Sequence, residues 1–321
     1  MFTRRIFLNG LFGAALVTGA LTGSATLAAD SPKEFRVGYQ KASAILVIAK
    51  QQEVFEKRLK QLGVENVKWV EFQFGPPLLE ALGAGAVDIG FVGDTPPIFA
   101  QAAGANLVYV ASAPASASAI LVPQDSTIKS VADLKGKKVA IAKGSSAHNL
   151  TIQALALSGL AFKDIEPVYL APADAVAAFS TGRVDAWTVW DPYFAIAENK
   201  HNARIVVTTD EKGLESNSFY LANKTFATTH PDVLKAVLEE ISGVSKWASD
   251  NRDKLAQIAA DVTGVDVQSQ TIAANRYVIE VQPIGDAVIA KQQKIADTFA
   301  ELGLIPKKIN VREIVWSAPT N

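Results

Sequence analysis

The sequence predicts an α/β protein of two lobes built on one plan, and three observations support this. Strand-like and helix-like segments alternate from Phe35 onward. The chain also repeats itself. Val37, Lys41 and Ser43 recur as Val139, Lys143 and Ser145, each 102 positions on (139 less 37). The run Gly85 to Asp94 recurs as Gly182 to Asp191, 97 positions on (182 less 85), with Gly, Val, Asp, Val and Asp coinciding. Third, Val139 to Leu150 passes from a β-branched run through Gly144-Ser145-Ser146 straight into helical spacing over Thr151 to Ser158. A strand that opens directly into a helix presents free N–H groups and hydroxyls at a positive dipole end, which is a ready anion site. A plain N-cap at Ser145 or Ser146 accounts for the same residues. Two such junctions, one per repeat, can face each other across a cleft.

In chain order, Arg4-Arg5, the apolar run Gly10 to Leu21 and the small residues Ser24, Ala25, Ala28 and Ala29 form a signal peptide, cleaved near Ala28 or Ala29. Thr3 to Leu8 fits a twin-arginine signal as well as an ordinary Sec signal. Strands follow at Phe35–Tyr39, Val67–Phe72, Val87–Val92 and Leu107–Ala111, with helices at Ile45–Leu62 (broken near Gln51-Gln52), Leu78–Leu82 and Ile98–Ala103. The small residues of Ala111 to Ser118 form the candidate hinge. Strands resume at Ile120–Val122, Val139–Ile141, Val168–Leu170, Ala186–Trp190 and Ile205–Thr208, and Ser216–Ala222 is a strand able to carry the chain back. Asp232 to Leu302 is mainly amphipathic helix, interrupted at Thr263-Gly264 and Gln282-Pro283, and Ile309–Trp316 is strand-like.

Composition narrows the function. No later run approaches the ~20 apolar residues of a membrane span. The 321-residue chain has no cysteine, hence neither a disulfide framework nor a lipid-anchor cysteine, which favours an unanchored periplasmic protein. Without Arg4 and Arg5, the 31 basic residues become 29 against 32 acidic ones, and no basic patch argues for nucleic acid. A mature chain of roughly 290 residues suits two domains. Enzyme chemistry finds little support. His148, His201 and His230 have no ligand spacing, and there is no Gly-x-Ser-x-Gly elbow, P-loop or dinucleotide fingerprint. No metal or other cofactor is called for.

Ligands of open parallel sheets collect at the carboxyl ends of the strands. There Gly93-Asp94-Thr95-Pro96-Pro97 ends one strand and Trp190-Asp191-Pro192-Tyr193 its counterpart. Asp before Pro is a cap signature, so N-capping is the favoured role for Asp94 and Asp191. The repeat differs one residue earlier, where Gly93 leaves room and Trp190 supplies an apolar wall. Phe74-Gly75-Pro76-Pro77 is a comparable turn with an exposed aromatic.

Long motifs then resemble a known family. Gly38-Tyr39-Gln40-Lys41, Gly93-Asp94-x-Pro96-Pro97 through Ala105, Val131 to Gly136, Lys143-Gly144-Ser145-Ser146-x-His148-Asn149-Leu150, Trp190-Asp191-Pro192-Tyr193 and Leu304 to Lys308 resemble aliphatic sulfonate-binding proteins. These are periplasmic receptors of ABC importers in the nitrate/sulfonate/taurine-binding group. The resemblance runs from about Phe35 to Trp316 and implies an α/β type II periplasmic-binding-protein fold, two lobes with a hinge and a ligand cleft between them. After the signal peptide read above over 1–29, it implies lobe 1 over 30–113, lobe 2 over 114–221 and a helical return to lobe 1 over 222–321. The chain departs from close relatives in its small, apolar hinge and in the bulky Phe91.

The implied partners are an alkyl sulfonate and an inner-membrane permease, with a monomeric receptor and no nucleic acid. A sulfonate is a permanent monoanion with three acceptor oxygens, so its head calls for neutral, converging donors. Ser145, Ser146, Gln40 and Thr95 are expected to supply them, with His148 or Asn149 as additions, while Trp190, Phe74 and Phe219 wall the tail at ~25 cal/mol per Å² buried. For a zwitterionic ligand, Asp94 or Asp191 could hold the ammonium.

Overall fold

The computed structural model describes residues 31–318, so the expected signal peptide lies outside the described residues. The first sheet grows from β1 (Glu34–Tyr39), which pairs in parallel with β2 (Asn66–Glu71) and β3 (Ile89–Gly93). After β4 (Leu107–Pro114) the chain crosses to the second sheet as β5 (Ser118–Pro123), then forms β6 (Lys138–Ile141), β7 (Glu166–Tyr169), β8 (Ala186–Trp190) and β9 (Ala203–Thr208). It returns as β10 (Asn217–Asn223), antiparallel between β3 and β4. The strand orders are β2-β1-β3-β10-β4 and β7-β6-β8-β5-β9. The second sheet thus repeats the first, and each borrows its antiparallel fourth strand from the crossover that enters it.

The repeat is chemical as well as topological. Asp88, before β3, accepts the Arg36 backbone N–H at 2.7 Å and donates its own N–H to the Arg36 carbonyl at 2.8 Å. Asp185, before β8, does the same with Lys138, at 2.8 Å in both directions. A carboxylate here locks a parallel strand pair at its amino end, where the ladder would otherwise leave an amide unpaired.

Helices cover the sheets. The first lobe carries α1 (Ala44–Gln51), α2 (Val54–Lys60), α3 (Gly75–Gly83) and α4 (Thr95–Ala102), and the second carries α5 (Ser146–Leu157), α6 (Pro172–Ser180) and α7 (Tyr193–His201). The return continues through α8 (Lys224–Thr229), α9 (Pro231–Asp250), α10 (Arg252–Thr263), α11 (Val267–Arg276) and α12 (Asp286–Glu301). One core packs β1 against α1, α2, α9 and α10, another lies on the opposite face under α3, α4 and α12, and a third fills the second lobe. None of the described helices is long and apolar enough to cross a membrane.

Three expectations need correction. The hinge is shorter than Ala111 to Ser118, because β4 holds its pairing with β10 as far as Pro114 and β5 begins at Ser118. The second lobe does not extend to residue 221, because β10 pairs wholly within the first sheet. Ile309–Trp316 is not a strand: Val311–Ile314 forms a 3₁₀ turn capped by Asn310, and only Val315 bridges to Tyr109. The break near Gln51-Gln52 falls at Glu53, in the left-handed region with φ 54°. The interruption at Thr263-Gly264 is Gly264 closing α10 with φ 69°.

Candidate functional site

Two equivalent turns build the cleft. After β1, the Ser43 N–H donates to the Gln40 carbonyl at 2.8 Å, and the Ser43 hydroxyl accepts the Gln40 N–H at 3.2 Å. After β6, the Ser145 N–H and Oγ both donate to the Ala142 carbonyl, at 3.2 and 2.6 Å. Ser43 and Ser145, matched in the sequence repeat, therefore do the same work of tightening a strand-to-helix turn. Gly144, directly before Ser145, has φ 73°, which a side chain would strain. Helix α5 then starts at Ser146, whose N–H and that of Ala147 precede the first intrahelical bonds.

The lobes meet at this point. A Cβ on Gly93, at the end of β3, would lie 2.8 Å from the Cβ of Ser146 across the cleft. Gly93 is thus the residue that lets α5 approach the first sheet. One turn further along α5, Asn149 Nδ2 donates to Asp94 Oδ2 at 2.8 Å. Asp94 also accepts from Thr95 Oγ1 at 2.7 Å and from Ser216 Oγ at 2.8 Å. Its carboxylate is fully buried, and burial pushes its pKa up to about 6 despite these donors. Lobe 1, lobe 2 and the second crossover share this one acceptor.

Behind that contact lies a small cavity shared by the two lobes. Its walls come from the first lobe (Gln40, Ala42, Phe91, Gly93), the second (Ser146, Trp190) and both crossovers (Ser116, Ser216, Asn217, Ser218). Gln40 is pinned by donating its amide to the Phe91 carbonyl at 2.8 Å. Asn217 Nδ2 is buried with no hydrogen-bond partner. An unmade buried donor costs about 1–3 kcal/mol, so this wall is built for an acceptor. None of the lining side chains is charged.

Of the twelve residues singled out from the sequence, Gln40, Gly93, Ser146 and Trp190 line this cavity, and Asp191 lines a neighbouring one. The other seven do not. Ser145 spends its hydroxyl on its own turn, and Thr95 donates to Asp94. Asn149 bridges to Asp94 and to the Glu215 carbonyl. Phe219 sits in the first-lobe core, its ring 4.8 Å from that of Tyr109, because strand alternation turns it away from the cleft. Phe74 packs on the second-lobe core.

His148 is buried among Phe162, Tyr169 and Phe299, with Nδ1 accepting the Gly144 N–H at 3.4 Å. Burial, with the Lys143 charge, lowers its pKa to about 4, which keeps it neutral. The expected cap at Asp94 is also absent: its backbone is helical, and its side chain bonds Asn149, Ser216 and Thr95 rather than the N–H groups of α4. Asp191 does accept a first-turn amide of α7, that of Ala195, at 3.0 Å.

The residues missed from the sequence are the polar ones of the two crossovers, Ser116, Ser216, Asn217 and Ser218. Ser116 lies in the Ala/Ser stretch of the first crossover and Ser216-Asn217-Ser218 opens the returning strand, but only the return of β10 beside β3 brings them to one wall.

Comparison with known proteins agrees with this architecture. The NMT1-like family matches residues 28–262. An Escherichia coli protein named for binding aliphatic sulfonates is 43% identical over 297 residues, 91% of each chain. The structure of the periplasmic aliphatic sulphonate binding protein from Escherichia coli superposes with a TM-score of 0.81 at 41% identity, covering 91% of this chain and 94% of that one. The alkanesulfonate-binding protein from Xanthomonas axonopodis pv. citri, in a structure bound to MOPS, gives 0.84 at 41% identity, over 89% of this chain and 99% of that one. The paired sheets, the shared interlobe cavity and these likenesses lead to one conclusion: the chain belongs to the NMT1-like family, among the relatives of the sulfonate-binding proteins.

Proposed function

We propose that the protein is the solute-binding receptor of an ABC importer, capturing aliphatic sulfonates in the periplasm and delivering them to a membrane permease for sulfur acquisition. The observation that carries this reading is the uncharged, donor-rich cavity with its unpartnered Asn217 amide. A sulfonate head has three acceptor oxygens and one diffuse charge, so it pairs with such donors without calling for a lysine or arginine. Asn217, Ser146 and the first amides of α5 hold the head, and Gln40 bounds it from the first lobe. The helix terminus adds roughly 0.3–1 kcal/mol, more where partly buried. Trp190 and Phe91 face the tail. The ligand touches both lobes only when they are closed, so it shifts the population toward that state, which the permease recognises.

Residues 1–29 act as the export signal, of Sec or twin-arginine type, and the receptor works as a monomer without a cofactor. It is a binding protein, not an enzyme. The test is a thermal-shift panel with hexanesulfonate, taurine, nitrate and sulfate. Hexanesulfonate is expected to raise the melting temperature most, and a shift with nitrate or sulfate alone would overturn the reading, since neither has a tail for Trp190 to cover.

A further inference from the structure

A second, small cavity adjoins the first and shares Ala42 and Ser116 with it. It lies between the lobes beside the first crossover, walled mostly by small side chains such as Ala273 and Ala274 of α11. Asp191 stands on its wall and is 8% exposed. Its Oδ1 accepts from the Ala195 amide at 3.0 Å and from Arg276 at 3.4 Å, but its Oδ2 is out of contact with solvent and has no hydrogen-bond partner. Neither nearby cation is hydrogen-bonded to Oδ2. Lys41 Nζ donates to the Thr263 carbonyl at 2.6 Å, and Arg276 pairs with Glu198 while lying 3.8 Å over the Phe194 ring. Asp94, the other carboxylate at a strand end, is satisfied by three donors and offers nothing comparable.

We infer that the ligand's tail leaves the head pocket past Ala42 and Ser116, enters this second cavity and ends with a hydrogen-bond donor on Asp191 Oδ2. This rests on the sulfonate reading above and narrows it: the substrates are sulfonates whose far end carries a hydroxyl or an ammonium rather than a methyl. A site with a buried acceptor discriminates strongly against an analogue that leaves it unpaired, whereas an apolar wall discriminates weakly.

The experiment is titration calorimetry of the mature protein with three series of equal chain lengths, n-alkanesulfonates, ω-hydroxyalkanesulfonates and ω-aminoalkanesulfonates. At the length that reaches Asp191, one or both polar tips are expected to bind about tenfold tighter than methyl. In Asp191→Ala that ratio falls to about one. The ratio is read within each variant, so a general loss of stability does not move it. Ala273→Leu, which narrows the cavity and leaves Asp191 in place, is expected to weaken tails increasingly with length. Equal affinities for polar and methyl tips at every length in the native protein would overturn the inference, and so would a preference that survives Asp191→Ala. If no sulfonate of any series binds, the receptor reading itself fails and takes this inference with it.

Discussion

Asp94 and Asp191 end equivalent strands in the two lobes, one directly after Gly93 and the other directly after Trp190, yet they face different surroundings. Asp94 collects Thr95, Asn149 and Ser216, so it joins the first lobe to the second lobe and to the returning chain. Asp191 binds the start of α7 and Arg276, and keeps one oxygen idle beside a cavity. The residues before them diverge in the same sense. Gly93 is bare so that α5 can come close, and Trp190 is a wall. A duplicated plan thus supplies one lobe with a seam and the other with a surface, and the difference rests on which side chain stands beside a shared aspartate.

Substituting the bare residue is expected to break this comparison most severely. Gly93→Val puts a branched side chain where even a Cβ lies 2.8 Å from Ser146. Overpacking of about 1–3 kcal/mol at the seam should lower sulfonate affinity by about 5- to 150-fold, with circular dichroism unchanged. Native affinity in calorimetry would show that the lobes need not meet there. On the opposite side, Trp190→Ala should cost about tenfold in affinity for a hexyl tail and less for a methyl one, since the loss follows the apolar area covered. An equal loss across a chain-length series would remove Trp190 from the tail wall.

The two carboxylates can be compared by their pH dependence. Burial raises both to about 6, above the usual value near 3.9, so the folded state binds more protons than the unfolded state between roughly pH 4 and 6. The stability each contributes is complete below about pH 4 and is lost as pH rises through 6, by about 2–3 kcal/mol per group. Asp94→Asn and Asp191→Asn should each flatten that fall in melting temperature. His148, lowered to about 4, acts with the opposite sign as pH falls from 6.5 to 4, and comparing each variant with the native protein cancels it. A variant that keeps the native slope would show its aspartate titrating normally.

The smallest expected difference concerns the strand clamps. Asp88 also receives the Arg36 guanidinium at 2.6 Å, and Asp185 has only the Lys138 amide. Asp88→Asn should therefore cost about 2–3 kcal/mol in denaturant unfolding and Asp185→Asn about 1. Equal costs would mean that Arg36, itself partly exposed, adds nothing to the clamp.

The repeat was legible because identical local tasks call for identical residues. Asp88 and Asp185 clamp a strand, and Ser43 and Ser145 tighten a turn, so spacing alone revealed them. Ser145 donates its hydroxyl to its own turn, and a serine that closes a turn and one that meets a ligand look alike in sequence. That Gln40, Gly93, Ser146 and Trp190 line the cavity between the lobes follows from their places at or just beyond the carboxyl ends of parallel strands.

By itself, then, the sequence determined the alternation of strands and helices, the doubled plan and the two junctions that border the cleft, all set by local periodicity and short-range hydrogen bonding. Only the tertiary structure decided that β10 returns beside β3. That return carries Ser216 and Asn217 to the cavity, encloses Asp94 and turns Phe219 into the core. Residues more than a hundred positions apart become neighbours through sheet pairing, whose partner is chosen by global packing and leaves no local periodicity to read.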